Sequence, residues 1–475
     1  MHHLTFRLDL SWGRLPASFK QASGNPLSLF IGDALVNPDF EASYPDSFPN
    51  DYNPWEGVNI SEMKGVLSWA AFSPRVGLAY DLWGNGKTIL NASYSRYAET
   101  LSQRHLLPLH PLYPRSFDVT WQDANGDGLP DREDEFSLLN LDYRYLSAPS
   151  IKSRVADGLK PSVTEDVSLG FDHDLFNDFT LGFSVVFRTQ KNILEDVLYA
   201  PDTGEYWYTM DQAASRKYWI PFTTTVPGTD AYPSETVTLY TRSLQAPKVF
   251  LQLRNVPELE RKYRALELTF QKRMSHGWQL AGSFVLSKTE GNIGGFSDET
   301  GGLTTAADSP NYFLNRFGRL NTDRPLQIRL VGVVELPLGL SLSGVFSYQS
   351  GQTWQRWAKV LPPADWCSAV GAERTYYIVN LETSGSRREK AWSSLDLRLE
   401  KEWRVGSSSR WGLYADIVNA LGFTSSLTGL NDVDRWEPAA EGANKLGQKY
   451  LSPDYGITNA VYGRRTIRFG LKLNF

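Results

Sequence analysis

The most regular feature of the chain is a two-residue alternation of apolar and polar side chains. In the segment 4–12, every even position is apolar, from Leu4 to Trp12, and the odd positions carry Thr, Arg, Asp and Ser. Because successive side chains of a β-strand point to opposite faces, this period predicts a strand with one apolar face. The pattern predicts twelve strands, at residues 4–12, 75–82, 88–97, 166–172, 179–188, 264–271, 278–287, 327–336, 340–349, 394–400, 411–418 and 465–475.

The connections between the predicted strands are alternately short and long. The short ones are rich in Gly, Asn, Asp, Ser and Pro, which close hairpins at low conformational cost, and they lie at 83–87, 173–178, 272–277, 337–339 and 401–410. The long ones contain 39 to 75 residues and lie at 13–74, 98–165, 189–263, 288–326, 350–393 and 419–464. A further strand pair near 193–199 and 236–242 would raise the count, so we expect twelve to sixteen strands.

This alternation predicts an all-β fold, a transmembrane antiparallel β-barrel with short periplasmic turns and long extracellular loops. A soluble sandwich ending in an edge strand is the alternative, but it would have shorter connections on both sides of the sheet. Aromatic residues make up 13 % of the chain, as the aromatic girdles of such barrels require. No run of about eighteen apolar residues occurs, which excludes a helical membrane span.

The last predicted strand ends on an aromatic residue. Its apolar positions run from Ile467 to Phe475, and counting back through the alternation places Phe475 on the short-turn side. A terminal Phe after alternating apolar residues resembles the signal that the barrel-assembly machinery of Gram-negative outer membranes recognises. We therefore expect an outer-membrane location, with outer-membrane lipid and the assembly machinery as partners.

An ordered series of segments resembles the barrel of TonB-dependent outer-membrane receptors, specifically the Oar-like branch with a carboxypeptidase-regulatory-like domain. The resemblance covers about residues 70–475. Its segments are Phe72–Leu82, Gly84–Thr88, Ala92–Tyr97, Leu268–Arg273, Gly277–Leu280, Asp323–Pro325, Leu336–Leu340, Tyr348–Gly351 and Asp416–Leu421.

The resemblance implies a receptor that binds a scarce nutrient at its loops and imports it with energy from the TonB complex. An intact member carries a signal peptide, a plug domain and a barrel of about twenty-two strands. In this sequence neither a signal peptide nor a plug precedes the first predicted strand. We therefore expect residues 1–475 to form a partial barrel. A surface adhesion barrel and a passive diffusion channel remain as alternatives.

The long loop at 98–165 contains a motif typical of calcium loops. Oxygen-bearing residues recur at the spacing of calcium ligands, Gly128 permits the sharp turn, and Leu129 offers its backbone carbonyl. The motif lacks the usual Glu at its twelfth position and flanking helices, so it is closer to the calcium loops of dockerin-type repeats than to an EF-hand. An acidic Gly-rich surface turn is the alternative. The predicted ligands are Asp123, Asn125, Asp127, Leu129, Asp131 and Asp134.

Aromatic residues in the other long loops are candidate ligand contacts, because their rings can stack on a sugar or an aromatic chelator. Packing within the loops or in an aromatic girdle is the alternative, and we favour it. The candidates are Tyr206, Trp207, Tyr208, Trp354 and Trp357, together with Trp366.

Charge and composition argue against other function classes. The net charge of −5 provides no basic surface for nucleic acid, and the single Cys367 excludes an intrachain disulfide. The lumen-facing positions carry both Arg and Asp or Glu, so no transport selectivity can be inferred from them. His173 and His276, the histidines beside predicted strands, fall on the periplasmic side, and no catalytic motif accompanies them. We therefore expect a protein that is not an enzyme.

Overall fold

The dominant element of the computed structural model is one antiparallel sheet of twelve long strands, in which each strand pairs with the next along the chain. We call this sheet the wall. The structure describes residues 3–15, 67–100, 118–121, 136–140, 155–176, 178–226, 228, 233–247, 249–293, 309–375, 377–406, 409–423, 425–428, 434–436, 458–462 and 464–474. The strands are β1 (His3–Leu15), β2 (Leu67–Asp81), β3 (Thr88–Ala98), β4 (Val163–Phe176), β5 (Phe179–Lys191), β6 (Arg261–Ser275), β7 (Trp278–Gly291), β8 (Leu326–Leu336), β9 (Leu340–Gln349), β10 (Trp392–Val405), β11 (Ser409–Val418) and β12 (Thr466–Asn474).

All twelve predicted strands are present, and the alternation of short and long connections is confirmed. Two predicted turns, 173–178 and 272–277, are much shorter than expected because β4 and β6 continue through most of them. The turn between β6 and β7 consists of His276 and Gly277, with φ of 52° and 76°. Two consecutive positive φ angles match the right-handed twist of a hairpin, so two residues are enough to close it.

The further pair of wall strands, proposed near 193–199 and 236–242, is wrong. Leu194–Ala200 and Glu235–Arg242 are strands, but they pair with Phe250–Asn255 and Trp219–Val226 outside the wall. The first of them is buried on both faces, whereas a wall strand keeps one face toward lipid. Within the described part of the chain the wall therefore has twelve long strands, and the two-residue strand Gly318–Arg319 pairs with the end of β7.

The register of the wall places the apolar positions of all its neighbouring strands on one face. Leu169, Val185 and Leu266 are direct neighbours on β4, β5 and β6, for example. This face carries many exposed large apolar side chains, as expected of a surface that contacts lipid. The described strands β1 and β12 end the strand order and do not pair with each other, so the sheet is open.

The long connections contain short strands and helices of their own. The helices described there are Ala213–Tyr218 and Ala364–Val370, with a 3-10 turn at Pro310–Phe313. A second 3-10 turn, Pro337–Gly339, forms the short connection between β8 and β9. The strands in the long connections are Asp118–Trp121, Phe136–Asn140, Leu194–Ala200, Glu205–Tyr206, Trp219–Val226, Glu235–Arg242, Phe250–Asn255, Gly318–Arg319, Thr353–Trp354, Trp357–Val360, Tyr377–Asn380, Arg387–Arg388, Ser425–Thr428, Asp434–Trp436 and Thr458–Tyr462. None of the helices in the described ranges is long and apolar enough to cross a membrane.

Candidate functional site

The hydrophobic core of the described residues lies in the long loops and not along the wall. Three loops contribute to it, at 192–260, 292–325 and 350–391, and we call their described residues the loop assembly. Strands Trp357–Val360 and Tyr377–Asn380 pair with each other and bring apolar side chains of the third loop against the first. The buried core residues include Leu198, Trp207, Trp219, Leu239, Leu251, Ala358, Val360, Tyr377 and Val379.

Hydrogen bonds between side chains and backbone join the three loops. The amide of Asn311 donates to the carbonyl of Tyr240 and accepts from its backbone N–H, both at 2.7 Å. The amide of Asn311 thus satisfies both backbone groups of Tyr240 at the open edge of strand Glu235–Arg242, as a neighbouring strand would do. Asn315 donates in the same way to the carbonyl of Asn380 at 3.0 Å. The loops are therefore connected by directional bonds as well as by apolar packing.

Arg356 is the centre of an ion network between the first and third loops. Its side chain is almost fully buried, and its Nη2 lies 2.7 Å from Glu235 while its Nε lies 3.2 Å from Glu382. Glu382 also accepts from Arg387 at 2.7 Å. Burial alone would raise the pKa of Glu382, but the bonds from Arg387 and Arg356 and their positive charges hold it below its usual range. The buried cation is fully paired, as its desolvation requires.

Asp323 ties the loop assembly to the outer end of the wall. Its carboxylate is completely buried and accepts from the backbone N–H of Thr289 on β7 at 2.7 Å. Its Oδ2 also accepts from Arg319 at 2.9 Å and from Arg388 at 2.5 Å. The sequence singled out this residue only as part of the resemblance motif Asp323–Pro325 and assigned it no role. The sequence feature that could have indicated a structural role is an acidic residue directly before an Arg–Pro pair at the start of a predicted strand.

Tyr206 and Tyr208 form an aromatic pair around one arginine. The guanidinium of Arg254 lies 3.7 Å from the centroid of the Tyr206 ring and 5.8 Å from that of Tyr208. The hydroxyl of Tyr206 donates to Gln252 at 2.8 Å. Burial raises the pKa of Tyr208 to about 12, with the nearby Glu258 acting in the same direction. Both rings are thus held in fixed positions by a cation–π contact.

The predicted ligand contacts divide into two groups in the structure. Trp207 and Tyr208 are 0 % and 2 % exposed, so their rings are packed in the loop core, which agrees with the favoured packing interpretation. Tyr206, Trp354 and Trp357 are only partly buried. The ring of Trp354 lies under the guanidinium of Arg387 at 5.5 Å. The predicted Trp366 packs against Phe222 at 4.7 Å between ring centroids.

Two further predictions lie outside the described residues. These are the calcium loop from Asp123 to Asp134 and the terminal Phe475. Within the ranges that the structure describes, no group of three or more His, Cys, Asp or Glu side chains is placed to hold a metal ion.

The polar face of the wall carries paired charges and a groove. Arg398 on β10 makes a two-point contact with Asp416 on β11, at 2.6 and 3.0 Å, and Lys472 on β12 lies 3.1 Å from Glu402. A groove of about 510 Å³ crosses this face between β4 and β9. Its polar lining consists mainly of Asp172, Thr180, Thr269, Gln271, Ser283 and Arg329. The predicted mixture of charge signs on this face thus includes direct ion pairs.

Solved structures of outer-membrane transporters are similar to this chain over most of its length. They include the transporter YddB from Escherichia coli, with 13 % identity, a TM-score of 0.42 and coverage of 87 % of this chain and 41 % of that one. The ferric preacinetobactin receptor BauA from Acinetobacter baumannii has 14 % identity, a TM-score of 0.39 and coverages of 88 % and 38 %. The iron transporter FrpB from Neisseria meningitidis has 11 % identity, a TM-score of 0.37 and coverages of 86 % and 38 %.

The chain spans about two fifths of the length of these solved proteins. No curated protein matches its sequence. The family model described as an outer membrane beta barrel domain matches residues 51–358, which is more than half of the chain. The chain therefore belongs to the outer membrane beta-barrel domain family and is a protein of the outer membrane.

Proposed function

We propose that this chain forms the wall and outer loops of a nutrient receptor that works with the TonB complex. The observation that carries the proposal is the loop assembly, in which three long loops pack together and a buried ion network around Arg356 joins the first loop to the third. Loops that are ordered before a ligand arrives lose less conformational entropy on binding, which favours tight capture of a dilute solute. The ordered series of receptor-like sequence segments supports the same function.

Within the loop assembly we propose Tyr206, Trp354 and Trp357 as candidate ligand contacts. Their rings are partly accessible, and arginines stack on two of them. A stacked guanidinium beside an aromatic ring presents a flat surface with a positive edge, which suits a planar or anionic chelate. Trp207 and Tyr208 then serve as buried supports of this surface.

The proposal includes no catalytic step. Among the described residues, His173 on β4 forms a hydrogen bond with Thr88 on β3 at 2.9 Å, next to the short turns that follow β4 and precede β3, and His276 forms part of the short β6–β7 turn. Both positions are at the periplasmic end of the wall, far along the strands from the loop assembly.

Uptake in cells tests the proposed function. Cells that produce the complete natural gene product should accumulate metal chelates or oligosaccharides from a dilute mixture only when both this gene and the TonB complex are present. Equal uptake without TonB would instead identify a passive channel. Retention at the cell surface without uptake would identify an adhesion barrel.

Sequencing the DNA upstream of Met1 supplies an independent control. An in-frame region that encodes a signal peptide and a plug is expected if the chain is part of an energised transporter. A stop codon directly before Met1 would contradict the role in TonB-driven import, and single-channel conductance of the purified chain would then be the measurement to make.

We also propose that the motif from Asp123 to Asp134 binds calcium. Isothermal titration of the full chain with Ca²⁺ should give one site with Kd on the order of 10⁻⁴ to 10⁻³ M, the range of extracellular calcium modules. Asp127→Ala removes a central ligand and should abolish the heat of binding, whereas Asp202→Ala, in another long loop, should leave it unchanged. Equal binding by both variants would contradict the assignment.

A further inference from the structure

At the extracellular end of the wall, the side chains on the lipid face change from apolar to mixed and then to charged. The register defines three successive lateral rows of side chains on this face. The innermost, which we call the apolar row, consists of Ala92, Leu169, Val185, Leu266, Leu286 and Leu326. The next, the boundary row, consists of Tyr94, Val167, Phe187, Arg264 and Lys288. The outermost, the charged row, consists of Arg96, Glu165, Thr189, Lys262, Glu290 and Arg319.

The boundary row places two cations directly opposite each other. Arg264 on β6 and Lys288 on β7 are register partners, so their Cβ atoms are roughly 5 Å apart, and both side chains are exposed. Like charges at this position destabilise a strand pair. The charged row above it avoids this conflict, because Lys262 faces Glu290 and Glu290 faces Arg319.

The carboxylates around this pair do not cancel its charge. Lys288 forms an ion pair with Glu290, and Lys262 forms one with Glu260 at 2.7 Å. Arg264 makes no salt bridge within the part of the chain that the structure describes. Arg264, Lys288 and Lys262 thus share two carboxylates, since Glu290 acts on all three cations, and these five groups carry one net positive charge.

The position of Arg264 and Lys288 on the wall indicates which kind of anion could neutralise them. Leu266 and Leu286, the next residues inward on the same face, are exposed, with Leu286 at 54 %. A ligand that contacts both rows must present an anionic group directly above an apolar chain. In an outer-membrane wall, the acyl chains and headgroups of the outer leaflet are arranged in this way.

We propose that Arg264 and Lys288 bind the phosphate of an outer-leaflet lipid whose acyl chain lies against Leu266 and Leu286. The guanidinium offers paired N–H donors to phosphate oxygens, and the ammonium adds a second charge. The phosphate relieves the repulsion between the two cations, so the lipid stabilises the β6–β7 hairpin. This lipid site does not depend on the proposed transport function.

Thermal unfolding of the full chain in a non-ionic, phosphate-free detergent tests the proposal. Titration with a phosphatidic acid should raise the unfolding midpoint, and native mass spectrometry should detect one retained lipid. The double variant R264Q/K288Q should bind this lipid about 30-fold more weakly and each single variant about fivefold more weakly, given the usual contribution of one basic residue near a charged lipid surface.

Matched variants separate a specific site from general charge. Lys401→Gln removes a cation from the same face at the periplasmic end, where its Nζ donates to the carbonyl of Leu338, and it should bind the lipid as the natural chain does. Lys288→Arg keeps the charge and should keep the binding, which tests the site even if R264Q/K288Q folds poorly.

Three outcomes would overturn the proposal. The first is equal stabilisation by a diacylglycerol with the same acyl chains, which would mean that the phosphate contributes nothing. The second is equal stabilisation by inorganic phosphate, which would identify a site for a soluble anion. The third is an unchanged lipid affinity in R264Q/K288Q.

Discussion

Single buried side chains determine how the loop assembly is attached to the wall, and Asp323 is the clearest case. Asp323→Asn keeps the shape of the side chain but removes the charge that faces Arg319 and Arg388. Breaking a buried ion pair in this way should lower the free energy of unfolding by about 3 to 5 kcal/mol. Urea unfolding of the purified chain measures the loss. Asp211→Asn, at an exposed position in the same assembly, should change it little.

Glu382 makes the stability of the loop assembly depend on pH. Its folded pKa lies below the ordinary value of 4.5, so its stabilising effect is present above that pH and is lost as the pH falls through the lowered value. Protease resistance of the loops should therefore decrease as the pH drops below about 4.5. Glu382→Gln should be less resistant at pH 7 and show a flatter profile. A slope identical to that of the natural chain would contradict this role.

At the scale of elements, the turn between β8 and β9 carries avoidable strain. Leu338 has φ of 67° and is 81 % exposed, so a leucine occupies a left-handed position while burying little of its side chain to offset the cost. Leu338→Asn should increase the free energy of unfolding by up to about 1 kcal/mol, because Asn tolerates this conformation. Leu244→Asn, at an exposed leucine without positive φ, is the control and should show no gain.

The elements of the wall were predictable from sequence because lipid and lumen impose a strict two-residue period. Strand ends were less predictable. The register of β4 and β6 continues past Asp172 and Gln271, where polar residues had suggested turns. The strand Leu194–Ala200 was predicted at nearly the right residues but assigned to the wall. A strand that is buried on both faces shows no apolar–polar alternation, so its sequence does not indicate whether it lies in a loop core or in a wall.

At the scale of the whole molecule, the candidate site was only partly predictable. The loop aromatics were found, but which of them are buried depends on contacts between loops that lie far apart in sequence, such as that of Asn311 with Tyr240. The ion network around Arg356 also depends on contacts between distant loops, because Glu235 is more than a hundred residues away in the sequence. Local patterns do not contain such pairings.

The loop core also predicts an order of events in folding. Its residues come from loops separated in sequence by the β6–β7 and β8–β9 hairpins, so we expect it to be completed only after these strands have aligned in the sheet. During refolding into micelles, protease resistance of the loops should appear after the β-sheet signal in circular dichroism. Resistance of the loop 192–260 before the sheet has formed would contradict this order.

A shared core also restricts how the surface of this protein can vary. Surface loops usually accept insertions and exchanges, but here a whole loop cannot be replaced alone without exposing the apolar side chains of the other two. New sequence is tolerated instead at turns that contribute nothing to the core, such as the exposed segment at Gly204. Antigenic drift and engineered peptide display should therefore concentrate at these few turns, while the loops themselves change only together.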